Sequence, residues 1–160
     1  MAPSLEFVSH MDETFMDLAL EEARNAERLG EVPVGAVIVD AGGNIIARGF
    51  NRPISESDPT AHAEIVAMRE AARITGNYRL TALTLYCTME PCAMCAGAMV
   101  HARIQRLVYG AADPRAGAAG SLFNIVTDPR LNHQVNVVAG IRETQCRTLV
   151  QRFFEKRRNG

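Results

Sequence analysis

The chain predicts an α/β fold in which a mixed five-stranded sheet is covered by helices on both faces, giving three layers. Three observations lead there. Residues 34–50 read as a strand–turn–strand hairpin. Beyond it, strand and helix patterns alternate to the end of the chain. The 160 residues, 48% of them hydrophobic, suffice for one well-buried domain and fall short of two.

The elements follow in order. Asp12 to Leu29 has the spacing of an amphipathic helix, with Phe15, Met16, Ala19, Leu20, Ala23 and Ala26 on one side. Asp12 is the expected N-cap and Gly30 the expected stop. Pro33 leads into the apolar run Val34 to Val39, Asp40 to Asn44 makes a turn, and Ile45 to Phe50 returns as a strand. Asn51 to Thr60 holds two prolines, two serines and acids, so it is a loop. Helical spacing resumes from His62 to Ala72, with Ile65, Met68 and Ala72 facing inward. Leu83 to Thr88 is a strand. Pro91 stands at or near the first turn of the next helix, where its missing N–H costs little. That helix carries Cys92 and Cys95 on one face, since positions i and i+3 are neighbours. Arg106 to Tyr109 is a fourth strand, followed by a Gly- and Ala-rich segment from Gly110 to Gly120. Gln134 to Ala139 is the last strand and Glu143 to Lys156 a terminal helix with Leu149, Val150, Phe153 and Phe154 apolar. No internal repeat, low-complexity tract or domain boundary interrupts this order.

Charged residues make up 22% of the chain and the formal net charge is −1, which argues against disorder and against a general polyanion-binding surface. The charge is nevertheless uneven. Between Met1 and Gly30, Glu6, Asp12, Glu13, Asp17, Glu21, Glu22 and Glu27 face only Arg24 and Arg28. From Arg142 onward, Arg147, Arg152, Lys156, Arg157 and Arg158 join it against Glu143 and Glu155. A basic C-terminal face is therefore expected beneath a near-neutral total. No secretory signal is visible and no stretch approaches membrane-spanning length. Four cysteines, two of them in a Cys-x-x-Cys, fit a reducing interior better than a disulfide framework, so a cytoplasmic enzyme without membrane contact is expected.

The chemistry is carried by His62-Ala63-Glu64 and Pro91-Cys92-Ala93-Met94-Cys95. One imidazole and two thiolates suit zinc and leave one tetrahedral position for water. Zinc lowers the pKa of such a water to roughly 7, and helix N-termini favour the thiolates. Glu64, next to the ligand set without joining it, is placed to carry a proton. The competing reading is a structural zinc ribbon, which normally takes four protein ligands. Cys87 is a candidate fourth ligand, although its strand position suits core packing better. Glu90 is the rival carboxylate, and its place before the proline suits backbone anchoring better than proton transfer. His10, His101 and His133 have no partner at ligand spacing and default to surface or packing roles. Cys146 is expected to be buried, and Met68, Met94 and Met99 to belong to the core.

The paired segments match the His-x-Glu and Pro-Cys-x-x-Cys pattern of zinc-dependent nucleobase deaminases. The flanks are more specific. Asn51-Arg-Pro-Ile54, Asp58-Pro-Thr-Ala-His-Ala-Glu-Ile65 and Glu90-Pro-Cys-Ala-Met-Cys-Ala-Gly-Ala-Met99 closely resemble the bacterial tRNA-specific adenosine deaminases. Asn77-Tyr-Arg-Leu80 and Gly117-Ala-Ala-Gly-Ser-Leu122 extend the resemblance over nearly the whole chain. It implies a cytidine-deaminase-like fold, a single zinc-dependent deaminase domain over residues 1–160 and one zinc ion per subunit. It also implies hydrolysis of adenosine to inosine at the wobble position of a tRNA anticodon, by a homodimer whose subunits both help bind RNA. In the family's pattern His62, Cys92 and Cys95 hold zinc and Glu64 shuttles the proton. Asn51 bonds the target base, the Ala63 N–H belongs to the pocket floor, and Asp113 approaches the RNA beside the target nucleotide. Single-stranded loop bases insert into such pockets at low unstacking cost. The basic terminal segment suits backbone contact with the anticodon stem, or else is ordinary solvated helix surface. Arg52 either contacts RNA or salt-bridges within its loop, and Ser55-Glu56-Ser57 puts an acid near the RNA path. A small-molecule base deaminase would keep the zinc centre without needing the basic helix. A non-catalytic zinc or RNA-binding module would tolerate loss of Glu64.

Overall fold

The protein's structure, a computed structural model, describes residues 10–160, so Glu6 of the acidic N-terminal stretch lies outside the described residues. The elements run α1 (Asp12–Arg28), β1 (Gly35–Val39), β2 (Ile45–Phe50), α2 (Ala63–Thr75), β3 (Thr84–Met89), α3 (Ala93–Ala102), β4 (Arg106–Ala111), β5 (Asn136–Ala139) and α4 (Glu143–Asn159).

The strands form one five-stranded sheet in the order β2-β1-β3-β4-β5. β1 pairs antiparallel with β2 and with β3, and β4 lies parallel to both β3 and β5, so the sheet is mixed as expected. Each parallel pair is joined by a long crossover, as parallel pairing requires. The period of two along each strand divides the core between the two faces. Ala36, Ile38, Leu85, Cys87 and Leu107 face α2 and α3. Val37, Val39, Tyr86 and Val108 face α1 and α4. The central strands β1, β3 and β4 are buried on both sides, which explains why they read as continuous apolar runs.

Several boundaries have local causes. The Asp40 carboxylate accepts the N–H groups of Gly42 and Asn44, each at 2.9 Å, closing the hairpin turn. Gly30, at φ +75°, ends α1 as expected. β4 continues to Ala111 because Met89 pairs with it across the ladder. β5 starts two residues later than the sequence suggests, because the Gln134 side-chain amide donates to the carbonyls of Asp128 and Leu131 and belongs to the preceding turn.

Asp12 departs from its expected role. Met11 occupies the cap position, with no side-chain capping bond. Asp12 is instead the first helical residue, and its carboxylate is buried, accepting the Tyr86 hydroxyl at 2.6 Å and Arg106 Nη1 at 2.7 Å. A buried guanidinium outbids the local N–H groups, and the start of α1 is pinned to β3 and β4. Met68 and Met99 are in the core, but Met94 is 37% exposed and points away from it. On the opposite face, α2 lies very close to β2: a side chain at Gly49 would meet the Ala63 carbonyl at 2.6 Å. That contact brings the start of α2, with His62 and Glu64, down onto the sheet edge.

Candidate active site

Two helices begin at the site. His62 is the cap of α2 and Cys92 the cap of α3, both with extended backbone. Their carbonyls open the helices by accepting the N–H groups of Val66 at 3.0 Å and Ala96 at 2.8 Å. Cap residues normally turn their side chains back onto the first N–H groups. Here neither does, so the imidazole and the thiol stay free for other partners. Pro91 stands just ahead of the cap, outside the helix. Cys95 follows in the first turn of α3 and is fully buried.

Cys92 Sγ and Cys95 Sγ each lie 3.5 Å from His62 Nδ1. All three donor atoms fall within 4.8 Å of one another, and among the described residues no other group of His, Cys, Asp or Glu forms such a cluster. Donors bound to one zinc ion by bonds of about 2.0–2.3 Å at tetrahedral angles stand roughly 3.5–3.8 Å apart, so the set fits zinc. The two thiols are driven in opposite directions by the hydrogen bond between them. A hydrogen bond from Cys95, reinforced by His62, holds the Cys92 thiol down to about 3. The same bond, together with burial, pushes Cys95 up. The bond to Cys92 raises His62 against the opposing effect of burial. Protons therefore compete with a metal at this site, and binding expels them.

Glu64 is 4% exposed and lies in the first turn of α2. Burial pushes its carboxyl above the usual range, as a group that must take up and release a proton requires. A cavity of about 230 Å³ opens over it, reached by His62, Cys92, Asn51, Glu90 and Asp113. That is below the roughly 300–1,000 Å³ of common ligand pockets and suits one heterocyclic base.

Of the sequence-derived candidates, Asn51, His62, Glu64, Cys92 and Asp113 line this cavity, while Ala63 and Cys95 are fully buried and do not line it. Asn51 Oδ1 accepts the Ala63 N–H at 2.9 Å, so this N–H is committed to Asn51 and the Asn51 amide group Nδ2 is left to donate into the cavity. Asp113 Oδ1 accepts the N–H groups of Arg115 and Ala116 at 3.0 and 3.2 Å. Cys87 is fully buried outside the ligand cluster, its Sγ 3.1 Å from the Met89 carbonyl. Glu90 anchors backbone, as its position suggested. Burial raises its carboxyl, but bonds from Ser121, Asp113 and Ala119 outweigh that and leave it lowered. Arg52 bonds Glu56 at 3.1 Å and lies over the Phe50 ring, so the acidic tip at Glu56 is paired within its own loop. His10 and His101 are exposed, while His133 bonds the Ile104 carbonyl at 2.7 Å. Cys146 is buried.

Two contributions escaped the sequence reading. Glu31, 1% exposed, accepts the N–H of Ile54 at 3.2 Å and both the N–H and hydroxyl of Ser55, at 2.7 and 2.6 Å. It clamps the loop that follows Asn51. An acid immediately after a helix stop and before a buried strand was the available signal. The second is the apolar wall: Val150 and Phe154 of α4 line the cavity together with Val32 and Val34. Phe154, 45% exposed, also lines a wider groove of about 840 Å³ beside Asp113, Arg115, Arg147 and Arg158.

Residues 9–111 match the family described as the cytidine and deoxycytidylate deaminase zinc-binding region. The chain is 53% identical over 150 residues to a tRNA-specific adenosine deaminase of Haemophilus influenzae, covering 94% of this chain and 87% of that one. It is 46% identical over 147 residues to the tRNA-specific adenosine deaminase of Bacillus subtilis, covering 92% and 91%. Among solved structures, one from a study of A-to-I editing by tRNA:A34 deaminases at the wobble position of transfer RNA superposes with a TM-score of 0.82 at 46% identity, over 85% of this chain and 98% of that one. A guanine deaminase from Bacillus subtilis superposes with a TM-score of 0.61 at 33% identity, over 92% and 94%.

Proposed function

Since the chain belongs to the cytidine and deoxycytidylate deaminase zinc-binding family, we propose that it hydrolyses adenosine to inosine and ammonia at the wobble position of a tRNA anticodon. The observation that carries the reaction is the buried Glu64 carboxyl beside the His62, Cys92 and Cys95 cluster on the floor of a base-sized cavity. The identity and coverage of the tRNA-specific relatives support the substrate.

His62, Cys92 and Cys95 hold the zinc ion, which when bound supplies the Lewis acidity that makes a hydroxide nucleophile available near neutral pH. Glu64 takes the proton of the attacking water and delivers it to the ring nitrogen next to the amino-bearing carbon. It then takes the proton of the hydroxyl newly added to that carbon and passes it to the amino group, which leaves as ammonia as the carbon–nitrogen bond breaks and the carbonyl forms. Asn51 donates from Nδ2 to the base and, through Oδ1, fixes the first turn of α2 beneath it. Val34 and Phe154 pack against the base and exclude bulk water. Asp113 borders both the cavity and the wider basic groove, where it meets the nucleotide next to the target.

The whole chain acts as one deaminase domain, working as a cytoplasmic homodimer. No helix among the described residues is long and apolar enough to cross a membrane. Support for the dimer comes from an apolar groove between α2 and α3, lined by Ile65, Met68, Tyr78 and Ala98, where Tyr78 is 70% exposed. Incubation of the zinc-loaded protein with a tRNA anticodon stem-loop, free adenosine, cytidine and guanine, with inosine and ammonia measured, tests the substrate. Inosine in the stem-loop is expected. Turnover of free guanine or cytidine with the RNA untouched would overturn the reading.

A further inference from the structure

We propose that Glu90 is a positioning residue, whose buried carboxylate fixes the RNA-facing loop from Asp113 to Ser121 against the turn that carries Cys92. Glu90 is 3% exposed and stands at the end of β3, two residues ahead of that ligand. Its Oε1 accepts the Asp113 N–H at 3.0 Å and the Ser121 hydroxyl. Its Oε2 accepts the N–H groups of Ala119 at 3.0 Å and Ser121 at 3.1 Å. Four donors from one loop thus converge on one carboxylate, leaving it little capacity for substrate or water. The backbone repeats the grip on either side: the Glu90 N–H donates to Ala111 at 2.8 Å, and the Pro91 carbonyl accepts the Ala118 N–H at 2.8 Å.

The loop is wound so closely that Gly117 has no room for a side chain. A Cβ there would lie 2.4 Å from Glu90 Cδ and 2.5 Å from the Asp113 carbonyl. Asp113 and Ala116 of this loop line the cavity, on which Glu90 itself borders. The carboxylate therefore sets the distance between the wall that receives RNA and the turn that holds the metal. A glutamine in its place would turn an amide donor toward N–H groups that need an acceptor. A shift of about 1 Å in such a wall is enough to weaken substrate engagement about tenfold or more.

The inference rests on the proposed tRNA reaction for its kinetic consequence but not for its structural one. Glu90→Gln and Gly117→Ala are compared with wild type as full-length, zinc-loaded proteins. In Glu90→Gln, hydrogen exchange at the amides of Asp113, Ala119 and Ser121 is expected to speed up about tenfold or more, with the β3 and β4 amides and the zinc content unchanged. KM for the anticodon stem-loop is expected to rise about tenfold while kcat changes less than about threefold. Gly117→Ala, which displaces the loop and keeps the charge, is expected to give the same pattern, and it carries the test if Glu90→Gln does not fold. Unchanged exchange at the three amides overturns the proposal, as does a fall in kcat accompanied by loss of zinc. A wild-type protein inactive on the stem-loop would refute the tRNA reading, while the exchange measurement still decides the role of Glu90.

Discussion

The carboxamide of Asn51 faces two ways, with Oδ1 taken by the Ala63 N–H and Nδ2 left to donate. Asn51→Asp separates the two roles, because a carboxylate still accepts from Ala63 but has nothing to donate. Its kcat/KM on the stem-loop is expected to fall about 10–100-fold, with little change in thermal midpoint. Steady-state kinetics beside a melting curve would check this, and an unimpaired kcat/KM would remove Asn51 from base recognition. Glu64→Ala acts on the proton instead. Turnover is expected to drop by about 10²–10⁴-fold, with zinc stoichiometry and RNA affinity retained. Near-normal deamination by that variant would take the proton shuttle away from Glu64.

Between elements, the clearest dependence is that of the loop after β2 on Glu31. Burial raises the Glu31 carboxyl, and the bonds from Ser55 and Ile54 overcome this and hold it below its ordinary 4.5. A depressed carboxyl stabilises the fold fully above its unfolded value, and that contribution disappears as pH falls through the folded one. Glu31→Gln is therefore expected to lose about 1–3 kcal/mol near neutral pH. The gap to wild type should shrink below about pH 4.5, as shown by urea unfolding from about pH 7 to about pH 3. A gap that stays constant across that range would mean the charge of Glu31 contributes nothing. Glu31 also shows where sequence reading stops, since its partners lie in a loop more than twenty residues on and leave no periodic trace. Asp12 failed for the related reason that a capping rule sees only adjacent N–H groups, whereas Arg106 reaches it from β4. The cluster of His62, Cys92 and Cys95 was legible because ligand chemistry restricts residue type and spacing together. The central strands were legible because burial on both faces leaves an unbroken apolar run. Met94 was misjudged because α3 is apolar nearly all round, so its pattern does not mark which side faces the core.

Across the whole molecule, the acidic start and basic end of the chain meet on one face of the sheet. Arg142 bonds Asp17 at 3.0 Å and approaches Glu13 at 3.5 Å. Arg147 pairs with Glu143, and Arg157 donates to the Gly30 carbonyl at 2.6 Å. Among the described residues, Arg152, Lys156 and Arg158 make no side-chain hydrogen bond or ion pair, and under the proposed function they are the cations expected to meet phosphates. Replacing all three with glutamine is expected to lower the slope of log K against log salt by about 2, in tRNA titrations over a range of KCl. An unaltered slope would place the phosphate contacts elsewhere. The two helix caps that supply the metal donors have a consequence for assembly. His62 follows the edge strand β2 and Cys92 follows β3, with β1 paired between them. A slip of one residue in either pairing would move one donor set by about 3.3 Å along the sheet and turn alternate side chains to the wrong face. Only a correctly registered sheet can then capture the ion. An ion that needs all three donors would thereby seal only chains whose two intervening pairings, β2–β1 and β1–β3, are already right.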